Sequence, residues 1–509
     1  MKSIKQIALV LCIGLMIIFN SCKEKSLPPH LKAIPEDAFF VVALDIKQMS
    51  SKGGQDFNFF DKINEVDEVT KNLIAEFTKN PKSLGIDLDM AYLFGVKQDV
   101  GVFIAMALKM DKASAFESNV KKLVQANIGE DVPVEDNGAY KIINIDEVSI
   151  AWNNELLIVG AEEFSSEFDY NRLFVPGNKT IANVPDFIEF NKRNYDIGGW
   201  MAYNEILNMT DAFSNLENFP LLKEIQDMYL HAYLNFDDGE MKFSFVTTPQ
   251  SKIKEFFKKY PIIGKNFDNS LLNAFPEKSY LTYKQSLNFS EYLKMMKDIS
   301  GQMDAYSKSS FDQIFDNPEV SAIFNGLGGD MILSVYGFAQ GPLPIPLAGF
   351  AFNVNSEADF NRLLEMIPQG MATFNGDYYV VSTGLMVSFY FAFKDNKIYV
   401  TDDADAIVAF TGKGYGKSLN STALGKSLYY FYLNLDADSY PENVRTMLQK
   451  EAGSYIGTEP LKYLKPYKDF SITINDDNES VISLKFKDTR QNSLKQILKF
   501  VDETTAGKF

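Results

Sequence analysis

The sequence predicts an α+β chain of two tandem homologous domains, each mainly an antiparallel sheet with helices packed on one face. Three observations carry this. A strand entrance is written twice, as LKAIPEDAFF from Leu31 and LNAFPEKSYL from Leu272, and its prolines, Pro35 and Pro276, stand 241 positions apart. Later helix, hairpin and strand signals recur at nearly the same spacing, which marks a duplication with a period of about 240 residues. Short β-β connections favour antiparallel pairing over a doubly wound parallel sheet. Length agrees, since 509 residues exceed the ~250 to 300 that one hydrophobic core usually serves.

In the first half, Ala38 to Ile46 reads as an almost continuously apolar strand, the pattern of one covered on both faces. A helix over roughly Phe57 to Phe77 closes at Asn80-Pro81, and its counterpart closes at Asn317-Pro318. A hairpin around Gln98-Asp99, a helix from about Lys112 and the hairpin AWNNELL from Ala151 follow. AWNNELLIVG matches AFKDNKIYVT from Ala392 without a gap, and ALKMDKASAF, ending at Phe116, matches AFNVNSEADF, ending at Phe360. Asp238-Gly239 fits a tight hairpin turn, and Asp237 corresponds to Asp476. The last helix of each half repeats an i, i+3, i+4, i+7 stripe: Ile253, Phe256, Phe257 and Tyr260, then Leu494, Ile497, Leu498 and Val501.

The N-terminus has Lys2 and Lys5, an apolar run from Ile7 to Phe19, and then Asn20, Ser21 and Cys22. That run is shorter than the ~20 residues of a permanent transmembrane helix and has the layout of a signal peptide. FNSC resembles the lipobox of bacterial lipoproteins, which implies that Cys22 carries the acyl chains, palmitate among them, and begins the mature protein. The expected organisation is a signal peptide over residues 1–21, a lipidated tether over 22–30, and repeats over 31–265 and 266–509. The other cysteine, Cys12, lies inside the signal and leaves with it, so the mature monomer has no disulfide. The tether reaches about 26 Å at most when extended, which keeps the folded body near the membrane.

A net charge of -17 argues against nucleic acid, which is held by Lys and Arg on phosphates, and against a polybasic membrane contact. Membrane attachment then rests on the N-terminal lipid. The signal, the IPEDAFFVVALDI entrance, the NPKSLGIDL segment and the length together resemble a family of uncharacterised Bacteroidetes lipoproteins, domain of unknown function 4836. The resemblance implies an exported lipoprotein and brings no catalytic residue with it; CKEK after the lipidated cysteine lacks a strong acidic run, so an outer-membrane protein on the periplasmic side is expected over one on the cell surface.

Chemistry is sparse. GYGKS, from Gly414 to Ser418, has Thr411 where a phosphate-binding loop needs its first glycine, and the helix precedes the loop instead of following it. His30 falls in the tether, and His231 stands on one strand face with Tyr229, Tyr233 and Asn235, without a second histidine at metal-ligand spacing. FDDGE and NDDNE read as solvated hairpin turns, and no cofactor or metal is expected. The favoured reading is a non-catalytic binding or scaffolding protein with a protein or glycan partner. Its alternatives are a carboxylate-dependent glycan hydrolase, which needs a close Asp/Glu pair with a raised pKa, and an apolar-ligand carrier with a site between the halves. The second copy also inserts GPLPIPL after Gln340, whose prolines stiffen a tip that presents Leu343, Ile345 and Leu347 as a candidate interaction loop.

Overall fold

Strand β1 (Ala38–Leu44) is buried along most of both faces and takes a partner on each edge. This computed structural model describes residues 28–54, 81–98, 101–128, 132–145, 148–163, 168–177, 179–203, 228–248, 255–256, 258–301, 317–341, 344–382, 388–419, 424, 427–456, 460–476 and 479–505. The described residues form two compact units, one of 1–209, 227–248 and 489–509, the other of 210–226 and 249–488. These differ from the sequence halves 31–265 and 266–509 in that 210–226 and 249–265 fall in the second unit and 489–509 in the first.

In unit 1, β1 leads to α1 (Ile46–Gly53), then β2 (Ile86–Lys97), β3 (Val102–Met110), α2 (Ala113–Ile128), β4 (Glu135–Asp136), β5 (Lys141–Ile145), β6 (Val148–Trp152) and β7 (Leu156–Glu163). The chain continues through α3 (Pro185–Phe190), β8 (Ile197–Ala202), β9 (Tyr229–Asp237) and β10 (Glu240–Thr248). Every pairing is antiparallel, and the strands lie in the order β10-β9-β8-β1-β2-β3-β7-β6-β5-β4. The strand read as running to Ile46 stops at Leu44 because the Asp45 carboxylate accepts from Gln48 N at 2.8 Å and caps α1. The fully buried Asp196 carboxylate then holds this helix down, accepting from Gln48 Nε2 at 2.6 Å, Lys52 Nζ at 2.7 Å and Phe236 N at 2.6 Å.

Helices were expected on one face; they cover both. One core gathers Val41, Phe94, Phe103, Phe187, Phe190 and Trp200 beneath α3. The other gathers Leu44, Met49, Leu108, Val120, Trp152 and Leu494 beneath α1, α2 and the C-terminal helix (Ser493–Thr505). Central strands that are apolar on both sides leave no face that water can occupy. His30, read as part of the tether, is 2 % exposed and packs 5.2 Å from Tyr92, and burial lowers its imidazole to about 4. The folded body therefore begins before Leu31.

In unit 2 the elements are β11 (Leu281–Ser286), α4 (Phe289–Ser300), α5 (Pro318–Gly326), β12 (Leu327–Phe338), β13 (Pro346–Val354), α6 (Glu357–Glu365), β14 (Ala372–Phe374), β15 (Tyr379–Ser382), β16 (Ser388–Lys394) and β17 (Lys397–Thr401). Next come α7 (Ala404–Thr411), β18 (Tyr429–Asn434), α8 (Glu442–Ile456), β19 (Tyr467–Asp476) and β20 (Glu479–Phe486). The order is β20-β19-β18-β11-β12-β13-β17-β16-β15-β14, again antiparallel throughout. Asn317-Pro318, read as a helix end, starts α5: Asn317 Oδ1 accepts from Glu319 N at 2.9 Å, and proline occupies the first turn, where a missing N–H costs nothing. The expected helix over 57–77 lies outside the described residues.

The two strand entrances are held alike. Pro35 bridges Thr180, and Pro276 bridges Ser418. Ile181 N donates to Ile34 O at 2.8 Å, and Leu419 N to Phe275 O at 3.2 Å.

The C-terminal helix and Tyr260 each lie in the unit that the other half begins. The C-terminal helix belongs to unit 1, where Leu494 is buried and Ile497 and Leu498 pack beside it. Its approach is fixed by Gly239, whose N–H donates to Gln491 O at 2.9 Å; this glycine has φ +67°, and a Cβ on it would stand 2.5 Å from Thr489 Cα. Residues 255–263 belong to unit 2: Tyr260 is 3 % exposed, its hydroxyl donates to Asp298 of α4, Lys259 Nζ lies 3.2 Å from that carboxylate, and Asn288 N donates to Ile262 O at 2.8 Å.

Leu494→Ala is expected to cost about 2–5 kcal/mol, the usual range for a buried leucine. Amide exchange should rise in α1 and β9 of unit 1. A rise confined to β19 and β20 would place the helix elsewhere.

Candidate functional site

An open polar cleft of unit 1 lies where α2 meets two hairpin turns. Phe116, on the buried side of α2, packs edge-on against Trp152 at 5.4 Å and leaves Glu117 at the rim. The β4–β5 turn is set by Asp136, whose carboxylate accepts from Gly138 N at 2.9 Å, and the β6–β7 turn by Asn153 Oδ1, which accepts from Glu155 N and Leu156 N, both at 2.9 Å. Asn153 Nδ2 donates to Ala139 O at 3.5 Å and draws the turns together. The result is an open cleft of about 530 Å³ lined by Ser114, Glu117, Asp136, Tyr140, Lys141 and Glu155 among others. Its volume falls in the range that holds a small ligand.

The central carboxylate of this cleft is held in two ion pairs. Lys141 Nζ stands 2.8 Å from one Glu117 oxygen and Lys121 Nζ 2.9 Å from the other. Hydrogen bonds from Lys141 and then Lys121 hold the Glu117 carboxyl below the usual carboxylate range, and the same contact raises Lys141. A glycosidase acid needs a carboxyl pushed up so that it carries a proton near neutrality. Glu117 is pushed the other way.

Two further polar clusters are buried, one in each unit. Asp186, at the start of α3, accepts from Trp200 Nε1 at 2.8 Å and Thr248 Oγ1 at 2.7 Å, and its Oδ1 lies 2.6 Å from His231 Nε2. Tyr233 OH lies 3.3 Å from His231 Nδ1. Both ring nitrogens face protein groups and His231 is 3 % exposed, so this polar knot ties α3 to β8, β9 and β10. For Asp186 burial works upward, and the bonds from His231, Thr248 and Trp200 outweigh it and hold the carboxyl low.

In unit 2, Asp268 and Asp330 form a carboxylate pair with opposite shifts. Burial raises Asp330; for Asp268 burial also works upward but is outweighed by hydrogen bonds from Ser270 and by Lys397. Split pairs of this kind mark acid and base roles when substrate can reach them. Here the oxygens are already engaged: Asp330 accepts from Ser286 Oγ at 2.5 Å and Asp268 N at 2.7 Å, and Asp268 accepts from Ser270 N at 2.9 Å. Beside them the fully buried Lys284 donates to Leu424 O and lies 4.1 Å from the Phe267 ring centre. Burial lowers its ammonium to about 8, against the pull of Asp330.

Cys22 and Leu343 lie outside the described residues. Ile345 is 40 % exposed, whereas Leu347 packs against the core of unit 2. The intervening strand end is pinned by Ala339 N donating to Ile345 O at 2.8 Å, and Asn443 Nδ2 reaches Gly341 O at 3.1 Å. GYGKS is a loop after α7, with Ser418 bridged to Pro276. Among the described residues no three His, Cys, Asp or Glu side chains gather to hold a metal ion, and no helix is long and apolar enough to cross a membrane.

Sequence reasoning missed the cleft, the Asp186 knot and the Lys284 cluster. Signs were present in His231 beside Tyr233 on one strand face and in Lys284 among Thr282 and Ser286 on another. In the comparisons with known proteins, the family model described as "Domain of unknown function (DUF4836)" matches residues 31–494. No curated protein and no solved structure matches.

Lys284 generates a pH test. Its folded value lies near 8, below the ordinary 10.5, so the unfolded chain binds more protons between those values and stability rises with pH across that window. Lys284→Met should abolish this rise and stabilise the protein near pH 7 by roughly 1–3 kcal/mol. Equal pH slopes in thermal melts of the two proteins would contradict the assignment.

Proposed function

The chain belongs to the DUF4836 family, and we propose that it is an outer-membrane lipoprotein, acylated at Cys22, that binds a partner without transforming it. The observation that carries the binding reading is the cleft at Glu117. It gathers hydrogen-bonding groups of both kinds while its central carboxylate is locked in an ion pair. Ser114 and Lys141 offer donors; Asp136 and Glu155 offer acceptors. That set suits a hydroxyl- or amide-rich ligand such as a glycan or peptide.

The anchoring reading rests on the sequence: a short apolar run ending at FNSC, in a chain too acidic to hold a membrane by charge. The periplasmic face is favoured because CKEK lacks an acidic run after the cysteine.

We also infer that the body arose by tandem duplication with exchange of the last helices. Identical strand orders, matching bridges at Pro35 and Pro276, and crosswise helix placement support it. Leu494 and Tyr260 share the stripe that the repeat assigns to one helix, yet each is buried in the unit that the other half begins.

Mass spectrometry of the purified protein is expected to show an acylated chain starting at Cys22, and Cys22→Ser to move the protein from membrane to soluble fractions. On glycan and peptide arrays the released protein should hold ligand without altering it, and Glu155→Ala should weaken retention several-fold. An unmodified N-terminus would overturn the anchor; cleaved ligand would overturn the binding reading.

A further inference from the structure

A short 3-10 turn precedes the strand entrance of each unit, over Pro29–Leu31 and over Asn269–Ala274. One position before the repeated motif, unit 2 carries Leu271 and unit 1 carries His30, and both are buried, at 0 % and 2 % exposure. Leu271 is an ordinary member of the apolar core of unit 2. His30 packs against Tyr92, and its Nδ1 and Nε2 are both shielded from water without a hydrogen-bond partner. The position calls for an apolar side chain, and unit 1 fills it with one that can take a proton. A neutral imidazole buried in this way is unfavourable, and an imidazolium far more so, since a charge is then buried with its donors unmet.

Among the described side chains no uncommitted anion faces the ring. Tyr92 and Asp87 come from β2, and β3 and β7 pack on the turn. Asp87 is bound to Lys109 Nζ at 2.6 Å, Asp89 to Lys47 Nζ at 3.3 Å, and burial pushes the Tyr92 phenol up, so that it stays neutral. Asp45, which also acts on Tyr92, caps α1. Lys109 is the ionisable residue of β3, and Leu156 to Ala161 of β7 include none. Lys32, two residues on, is exposed. Burial is the largest influence on His30; Asp87 and the Met90 backbone favour the charged ring, and Lys109 opposes it.

The turn also lies where the chain enters the body. Leu31, Ala33 and Ile34 are buried in the core of unit 1, and Ile181 N donates to Ile34 O at 2.8 Å. We propose that residues 28–34 are an acid-released latch: protonation of His30 frees this segment from unit 1 and lengthens the arm between Cys22 and the folded body. At ~3.3 Å per residue the released segment adds roughly 23 Å of reach. The lengthened arm rests on the acylation of Cys22 proposed above; the latch does not.

The folded ring lies near 4 against the ordinary 6.5, so the hold is complete above 6.5 and is lost as pH falls towards 4. By linkage, docking is roughly 20-fold weaker at pH 5 than at pH 7. Native-state hydrogen exchange of the full chain carrying Cys22→Ser, expressed as protection relative to the intrinsic rate at each pH, tests this without the anchor. The Ile34 and Ile181 amides should exchange faster than those of Val41 to Leu44, with a smaller denaturant dependence, and should lose roughly 20-fold in protection from pH 7 to pH 5. His30→Leu, the residue that unit 2 uses, should remove that loss, and so should His30→Gln, which keeps a polar side chain without the charge. Protection of Ile34 and Ile181 that does not change with pH, or that falls equally in both variants, overturns the proposal. So do Ile34 and Ile181 amides that share the rate and denaturant dependence of Val41 to Leu44 at pH 5, because the segment then opens only with the whole unit. An unlipidated Cys22 would remove the lengthened arm and leave this result unchanged.

Discussion

A strand that is apolar on both faces can be stable only with a hydrogen-bonded partner on each edge and apolar cover on each side, and β1 imposes this condition on unit 1. Its edges are met by β2 and β8, and its faces by α3 on one side and by α1 with the C-terminal helix on the other. The central strand cannot be satisfied by the residues that adjoin it in sequence. Partners arrive from positions as distant as Leu494, and the chain must return to complete the unit.

The central strand of unit 2 meets the same condition with different side chains. Ala43 lies between Tyr92 and Gly198 across the ladder, whereas Lys284 lies between Ile332 and Tyr430. Where unit 1 fills the central position with a large aromatic neighbour, unit 2 buries a lysine and satisfies it through Leu424 O and the face of Phe267. A buried ammonium stabilises less than a hydrocarbon of the same size, which is why its proton is held loosely. One strand order therefore accommodates a different side chain at its centre in each unit.

How much of this was legible in the sequence depended on the range of the interaction. Pro35 and Pro276 mark their strands because proline fixes the local backbone, and Asp238-Gly239 marks its hairpin because only a turn with positive φ closes there. Asn317-Pro318 was read as a stop because a residue before proline avoids the helix; the same pair supplies a cap and a first turn, and adjacency alone does not separate the two. The cleft was invisible because its turns meet only through the β5–β6–β7 register. An amphipathic stripe on Leu494, Ile497 and Leu498 says that a face is buried but not which unit buries it.

The central claim is that the C-terminal helix is part of unit 1 in energy as well as in position. Native-state hydrogen exchange under increasing denaturant tests it most directly, since segments that open together share one free energy and one denaturant dependence. The account predicts that amides of Leu494 to Val501 follow those of Val41 to Leu44 and Met49. A helix whose exchange instead follows Ser480 to Leu484 of β20 would contradict it.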